Sequence, residues 1–201
     1  MRIFTAINLP KETKKKLVSC QKKWQSLPVR WTPPQNLHIT LVFIGDVDKK
    51  QLKQIKGVSK KVGEACSSFA IKLYNITLGP PNRPPRMFWV EGPCLDKSKQ
   101  GKPPAHPKRS EKNGLQELHD TLEDSLVRVK NTGVEEKESR TYKPHITLGR
   151  INQDEWKEMG RQPTINEEIS MKVPVNSFEV MKSELKSSGA EYSVVKSISL
   201  L

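Results

Sequence analysis

At 201 residues the chain has room for one domain, or for two small lobes sharing a core. Hydrophobic residues make up 34%, charged residues 28%, and the formal net charge is +13, so a folded core beneath a very polar, basic surface is expected. No apolar run reaches bilayer length, which excludes a helical membrane protein, and the charge favours polyanionic partners: RNA, DNA, a phosphate-bearing small substrate or an acidic membrane surface.

The first segment, Ile3 to Leu9, is apolar and β-prone, and Pro10 closes it. It reads as a strand and not as a signal peptide, because no small-residue cleavage site follows an apolar core. A helix begins at Lys11, with Leu17, Cys20, Trp24 and Leu27 at helical spacing, and Pro28 ends it. After the turn Thr32-Pro33-Pro34, a strand from Asn36 to Ile44 is stopped by Gly45-Asp46. A second helix spans Lys49 to Glu64, with Leu52, Ile55, Val58 and Val62 as its buried stripe. Two strands follow, Ser68 to Leu78 and Arg86 to Glu91, separated by Gly79-Pro80-Pro81-Asn82.

The segment 94–113 differs in kind: rich in Lys, Pro, Ser and Gly, it reads as an exposed basic loop running from Lys97 to Lys112. Solvation alone explains such a charge run, and an RNA-grasping arm is the functional alternative. The next helix, Gly114 to Lys130, lines one face with Leu115, Leu118, Leu122, Leu126 and Val129. His119 falls off that stripe, and His106 lies in the loop; both read as ordinary polar residues. The chain ends with a strand from Tyr142 to Ile151, a short helix from Asp154 to Met159, and two long strands, Ile169 to Ser183 and Ala190 to Leu200, joined as a hairpin. The order β-α-β-α-β-β, then α-β-α-β-β, makes the second half an echo of the first. It suggests an α+β fold of two lobes, each with a mostly antiparallel sheet and helices packed on the outer faces. Cys20, Cys66 and Cys94 are odd in number and far apart, so neither a disulfide framework nor a thiolate metal site is expected, and a reducing cytoplasm is the natural compartment.

One repeat carries the functional reading. His38-Ile39-Thr40-Leu41 recurs as His145-Ile146-Thr147-Leu148, each in a predicted strand, and together they hold two of the four histidines. A chance second copy has odds of roughly one in a thousand at ordinary residue frequencies, which argues for a duplicated function. Side chains alternate along a strand, so His38 and Thr40 share a face, as do His145 and Thr147. Leu37, Ile39, Leu41 and Phe43 share the other face, and Phe43 is therefore expected in the core. Across a cleft, two imidazoles suit phosphoryl chemistry: one protonates a leaving oxygen while the other takes a proton from water. The threonine hydroxyls can hold the non-bridging oxygens. Two histidines with no nearby acidic or thiol ligand are too few for zinc.

At these residues the chain resembles the two-histidine phosphoesterase superfamily, and within it the RNA 2′,3′-cyclic phosphodiesterase or 2′-5′ RNA ligase family. The resemblance includes Arg30-Trp31-Thr32-Pro33-Pro34-Gln35-Asn36-Leu37 ahead of the first motif, Pro84-Pro85-Arg86-Met87-Phe88-Trp89-Val90, and Tyr142-Lys143-Pro144 ahead of the second. It implies a bilobal, pseudo-two-fold fold with the active site in a central groove, hydrolysis of a terminal 2′,3′-cyclic phosphate to a 2′-phosphate without metal or other cofactor, and reverse 2′-5′ ligation. It also implies His38 as general acid and His145 as general base, with Thr40, Thr147 and Arg150 on phosphate and Arg86 as a lesser positioning candidate. Strict alternation sets Arg150 opposite His145, and either a bulge at Gly149 or the reach of a long side chain past the strand end would bring it round. The expected partner is RNA with cyclic phosphate ends, tRNA fragments among them, acted on by a monomer away from membranes. Two other readings are a non-catalytic RNA-end-binding protein and a phosphodiesterase acting on a small cyclic nucleotide.

Overall fold

The computed structural model describes residues 1–81, 83–92, 114–129, 132–134, 136, 138, 141–187 and 189–201. The expected basic loop at 94–113, with His106, lies outside the described residues. Thirteen elements follow in chain order: β1 (Arg2–Asn8), α1 (Lys11–Gln21), β2 (Val29–Trp31), β3 (His38–Asp46), α2 (Lys49–Gly63), β4 (Phe69–Gly79), β5 (Met87–Glu91), α3 (Gly114–Arg128), β6 (His145–Ile151), α4 (Gln153–Glu158), β7 (Asn166–Val175), β8 (Ser177–Lys186) and β9 (Gly189–Ser199).

The strands form one antiparallel sheet in the order β7-β4-β5-β6-β3-β1-β8-β9, and β2 pairs separately with β6. From the centre outwards, β3-β1-β8-β9 mirrors β6-β5-β4-β7. The motif strands β3 and β6 are the two central ones, and they meet at a single residue pair, Ile39 opposite Ile146. The repeat is thus real, but it does not divide the chain at its middle. Strands β5 and β4 extend the sheet beyond the second motif strand, and β1, β8 and β9 extend it beyond the first, although β8 and β9 come far later in the chain.

Three further expectations are corrected. The segment Ile169 to Ser183 is not one strand: it breaks at Asn176, and its pieces lie in opposite halves of the sheet. The cause is legible in the burial pattern. Val173 and Val175 are buried two apart, but the next buried apolar residues are Phe178 and Val180, so the alternation slips by one residue. The second correction is β2, three residues between Pro28 and Pro33 that the turn signals concealed. The first helix also stops sooner than expected, continuing from Gln21 as a tight turn through Trp24.

Both long helices follow their stripes. Asp48 caps α2: its carboxylate accepts the Gln51 N–H at 2.7 Å, while the Gln51 side chain accepts the Asp48 N–H at 2.8 Å. Ile55, Val58 and Val62 are buried beneath it, as are Leu115, Leu118, Leu122 and Leu126 of α3. The two helices lie against each other, with α3 also on β3 and β4, and α2 on β8 and β9. One apolar core therefore runs unbroken beneath both halves of the sheet. No helix among the described residues is long and apolar enough to cross a membrane.

Candidate active site

Each motif strand carries a bulge just after its threonine. Between β1 and β3 the register passes from Ala6–Thr40 to Phe4–Phe43, so Leu41 and Val42 together oppose Thr5. Between β5 and β6 it passes from Trp89–Thr147 to Phe88–Gly149, leaving Leu148 as the extra residue. Leu41 and Val42 are both buried, as are Leu148 and Gly149, so the alternation restarts one residue late. The Thr5 hydroxyl fills the first bulge, accepting the Val42 N–H at 3.1 Å.

The bulges decide which residues face the groove. Arg150 is carried onto the His145 face, as the family resemblance requires. Phe43, expected in the core, is carried the same way and stands 54% exposed, with the Arg2 guanidinium 5.0 Å from its ring centroid. Gly149 is needed for a second reason. A Cβ there would come within 2.5 Å of Val29 and 2.9 Å of Trp31, so only glycine lets β2 close on β6.

His38, Thr40, His145, Thr147 and Arg150 line one open groove of about 350 Å³. Arg86 does not line it. That residue is exposed, and its backbone bonds to Gly79 and Ile151. Arg30, Tyr192 and Met87 line the groove without having been singled out in the sequence.

Backbone carbonyls aim both imidazoles. His38 Nδ1 lies 2.6 Å from the Asn36 carbonyl, and His145 Nδ1 lies 2.8 Å from the Lys143 carbonyl. A carbonyl can only accept, so each Nδ1 carries the proton and each neutral ring presents Nε2 as its basic nitrogen. The Thr40 hydroxyl donates to His38 Nε2 at 3.1 Å. Aromatic rings fix the ring planes. Trp89 stacks on His145 at 4.0 Å between centroids, while Phe4 and Tyr192 each lie 5.2 Å from His38. Gly79 makes room for Trp89, since a Cβ there would fall 2.3 Å from the indole.

A strap joins the two motif strands near their single point of pairing. The Tyr142 hydroxyl, just ahead of β6, donates to the Thr40 carbonyl on β3 at 2.9 Å. Burial pushes that phenol's pKa well up, so it stays protonated. Its ring stacks on His119 at 3.8 Å between centroids. His119 is therefore buried beside the apolar stripe that it was expected to fall off. It follows Leu115 by four positions, which places it on the buried edge of the helix face.

Burial lowers the pKa of both motif histidines below 6.5. Lys14 and His145 add to the effect on His38, and Arg150 adds to it on His145, against the carbonyl contacts that favour charge. The unfolded chain consequently binds protons that the folded groove refuses. The stability contribution is complete above the ordinary value and is lost as pH falls from 6.5 through the lowered folded values. Urea unfolding between about pH 8 and pH 5 is expected to show stability falling with pH, more shallowly in a His38→Ala, His145→Ala double variant. Equal slopes would contradict the account.

Comparison with known proteins follows the same lines. The model of the LigT like Phosphoesterase family matches residues 7–89. The chain is 26% identical over 203 residues to an RNA 2′,3′-cyclic phosphodiesterase of Methanocaldococcus jannaschii, covering 98% of this chain and 99% of that one. It is 27% identical over 203 residues to one of Thermus thermophilus, covering 100% of this chain and 90% of the other. Among solved structures, a Thermus thermophilus protein superposes with a TM-score of 0.79 at 24% identity, over 100% of this chain and 98% of that chain. Escherichia coli LigT complexed with 3′-AMP superposes with a TM-score of 0.69 at 21% identity, over 99% and 97% of the two chains.

Proposed function

We propose, for a chain that belongs to the LigT-like phosphoesterases of the two-histidine superfamily, that it opens 2′,3′-cyclic phosphates at RNA ends to 2′-phosphates without a metal. The observation that carries this reading is the pair of His-x-Thr faces lining one groove, each imidazole held by a carbonyl at Nδ1 with Nε2 as the nitrogen left for proton transfer. The relatives bearing the name RNA 2′,3′-cyclic phosphodiesterase support the same reading.

His145 takes the proton from water, which attacks phosphorus in line with the bond to O3′. His38 gives a proton to O3′ as that bond breaks, and the phosphate stays on O2′. The acid must be charged and the base neutral. Arg150 favours the neutral form of His145, which suits the base. The negative cyclic phosphate, seated between the rings, offsets burial and restores a proton to His38. Thr40 and Thr147 donate to the non-bridging oxygens, and Arg150 neutralises their charge. The same groups run in reverse join a cyclic phosphate to a 5′-hydroxyl as a 2′-5′ linkage.

The deciding assay follows an RNA oligonucleotide ending in a 2′,3′-cyclic phosphate, with EDTA present throughout. Conversion to the 2′-phosphate is expected. A 3′-phosphate product, or activity that returns only on adding a divalent cation, would overturn the mechanism. Tight binding without turnover would instead favour an RNA-end-binding role.

A further inference from the structure

Arg30 and Arg150 are cross-strand partners on β2 and β6, and both side chains line the groove. Like charges directly opposite one another on a sheet repel. Ordinarily a carboxylate between them relieves this, yet among the described residues neither guanidinium forms an ion pair with an acid. The polar contact recorded for Arg150 is to the thioether of Met87 at 3.7 Å, which neutralises nothing. Arg30 is exposed on its strand, and Gly189 brings the start of β9 alongside it: a Cβ on that glycine would lie 3.7 Å from its Nη1. Two adjacent, uncompensated guanidinium groups at one end of a phosphate groove are arranged for more anionic charge than one cyclic phosphate brings.

From this we infer that Arg30 holds the phosphodiester immediately upstream of the terminal nucleotide, making the enzyme selective for an RNA chain over a mononucleotide. The inference rests on the cyclic-phosphate reading above. β2 pairs with β6 at residues 149–151, beyond the histidine and threonine of the second motif, whereas β3 meets it at Ile146. Arg30 therefore stands along the groove from the reacting phosphorus and not over it. A chain entering from that end leaves its upstream phosphodiester beside Arg30 while its terminal cyclic phosphate reaches Arg150 and the imidazoles. A guanidinium suits this task because its planar fork can hold two non-bridging oxygens of one phosphodiester at once. Contacts of this kind position the chain without reading its bases.

The test compares Arg30→Gln with the wild type on two substrates: a pentanucleotide ending in a 2′,3′-cyclic phosphate, and a nucleoside 2′,3′-cyclic phosphate with no upstream phosphate. The ratio of their kcat/KM values is expected to fall about tenfold in the variant, the usual scale for losing a hydrogen bond to a charged group. An unchanged ratio would overturn the inference, because it would place Arg30 at the reacting phosphate or outside the site. A binding arm separates this from failure of the functional reading. The same pentanucleotide with a terminal 3′-phosphate, and a nucleoside 3′-phosphate, are titrated without turnover. Arg30→Gln should weaken the oligonucleotide more than the nucleotide, and equal weakening would sink the upstream contact even if the wild type hydrolysed neither cyclic phosphate.

Discussion

His38→Ala and His145→Ala are each expected to lower kcat on a cyclic-phosphate RNA by roughly two to four orders of magnitude, the range for a positioned acid or base. The loss belongs to kcat because proton transfer occurs only as the bonds to phosphorus change. Stability should not fall in step, since a half-buried imidazole with a lowered pKa contributes packing and one carbonyl hydrogen bond. The two roles can be separated by the leaving group. A substrate with sulfur in place of O3′ leaves as a thiolate and needs little help from an acid. It should recover much of the activity of His38→Ala and little of that of His145→Ala. Rates within a few-fold of wild type in either variant, or equal rescue of both, would refute the assignment.

The second large effect concerns the hydroxyls. Thr40→Val and Thr147→Val keep the shape of the side chain and remove the donor. Each is expected to cost about 10²-fold in kcat, the lower end of the range for an oxyanion donor, because charge on the non-bridging oxygens grows towards the transition state. The two are not equivalent. Thr40 also donates to His38 Nε2 at 3.1 Å, and its carbonyl is held by Tyr142 at 2.9 Å. That hydroxyl has one proton, which goes to His38 Nε2 in the free protein and turns to a non-bridging oxygen once phosphate is bound, so its loss perturbs His38 as well as the phosphate contact. The pH–rate profile of Thr40→Val should therefore shift on the limb that reports His38, whereas Thr147→Val should keep the wild-type shape at reduced height. A change in KM alone, with kcat intact in both, would show that the hydroxyls merely bind substrate.

Much of this site can be read from the chain alone, because a tandem motif with alternating faces states its own geometry. His38 and His145, with Thr40 and Thr147, share one groove as the repeat implies. Of the two routes the sequence leaves open for Arg150, a bulge or the reach of a long side chain, the structure takes the bulge, with Leu148 as its extra residue. Phe43 is misplaced by strict alternation because the strand holds the first of two matched bulges, and only the second is signalled by a glycine. Extending the repeat by two residues, to Val42-Phe43 beside Gly149-Arg150, pairs Phe43 with Arg150 and exposes the error. Arg30, Trp89, Tyr142 and Tyr192 carry no such signal. Trp89 and Tyr192 reach the histidines, Tyr142 the Thr40 carbonyl and Arg30 the groove wall, through contacts between elements far apart in the chain, and local spacing holds no trace of those. The break at Asn176 is hidden for a similar reason: two strands of like composition run on almost without interruption but enter opposite halves of the sheet.

The interleaved strand order has a bearing on synthesis. β1, which ends at Asn8, acquires its outer neighbour β8 only after Ser177 has emerged, and β9 closes that edge later still. A ribosome stalled before residue 177 would hold both histidine-bearing strands with the scaffold of one of them unfinished. Nascent chains should thus stay inert towards RNA in the tunnel's neighbourhood, and competence should arrive abruptly with the last hairpin, at the slow pace set by long loop closures.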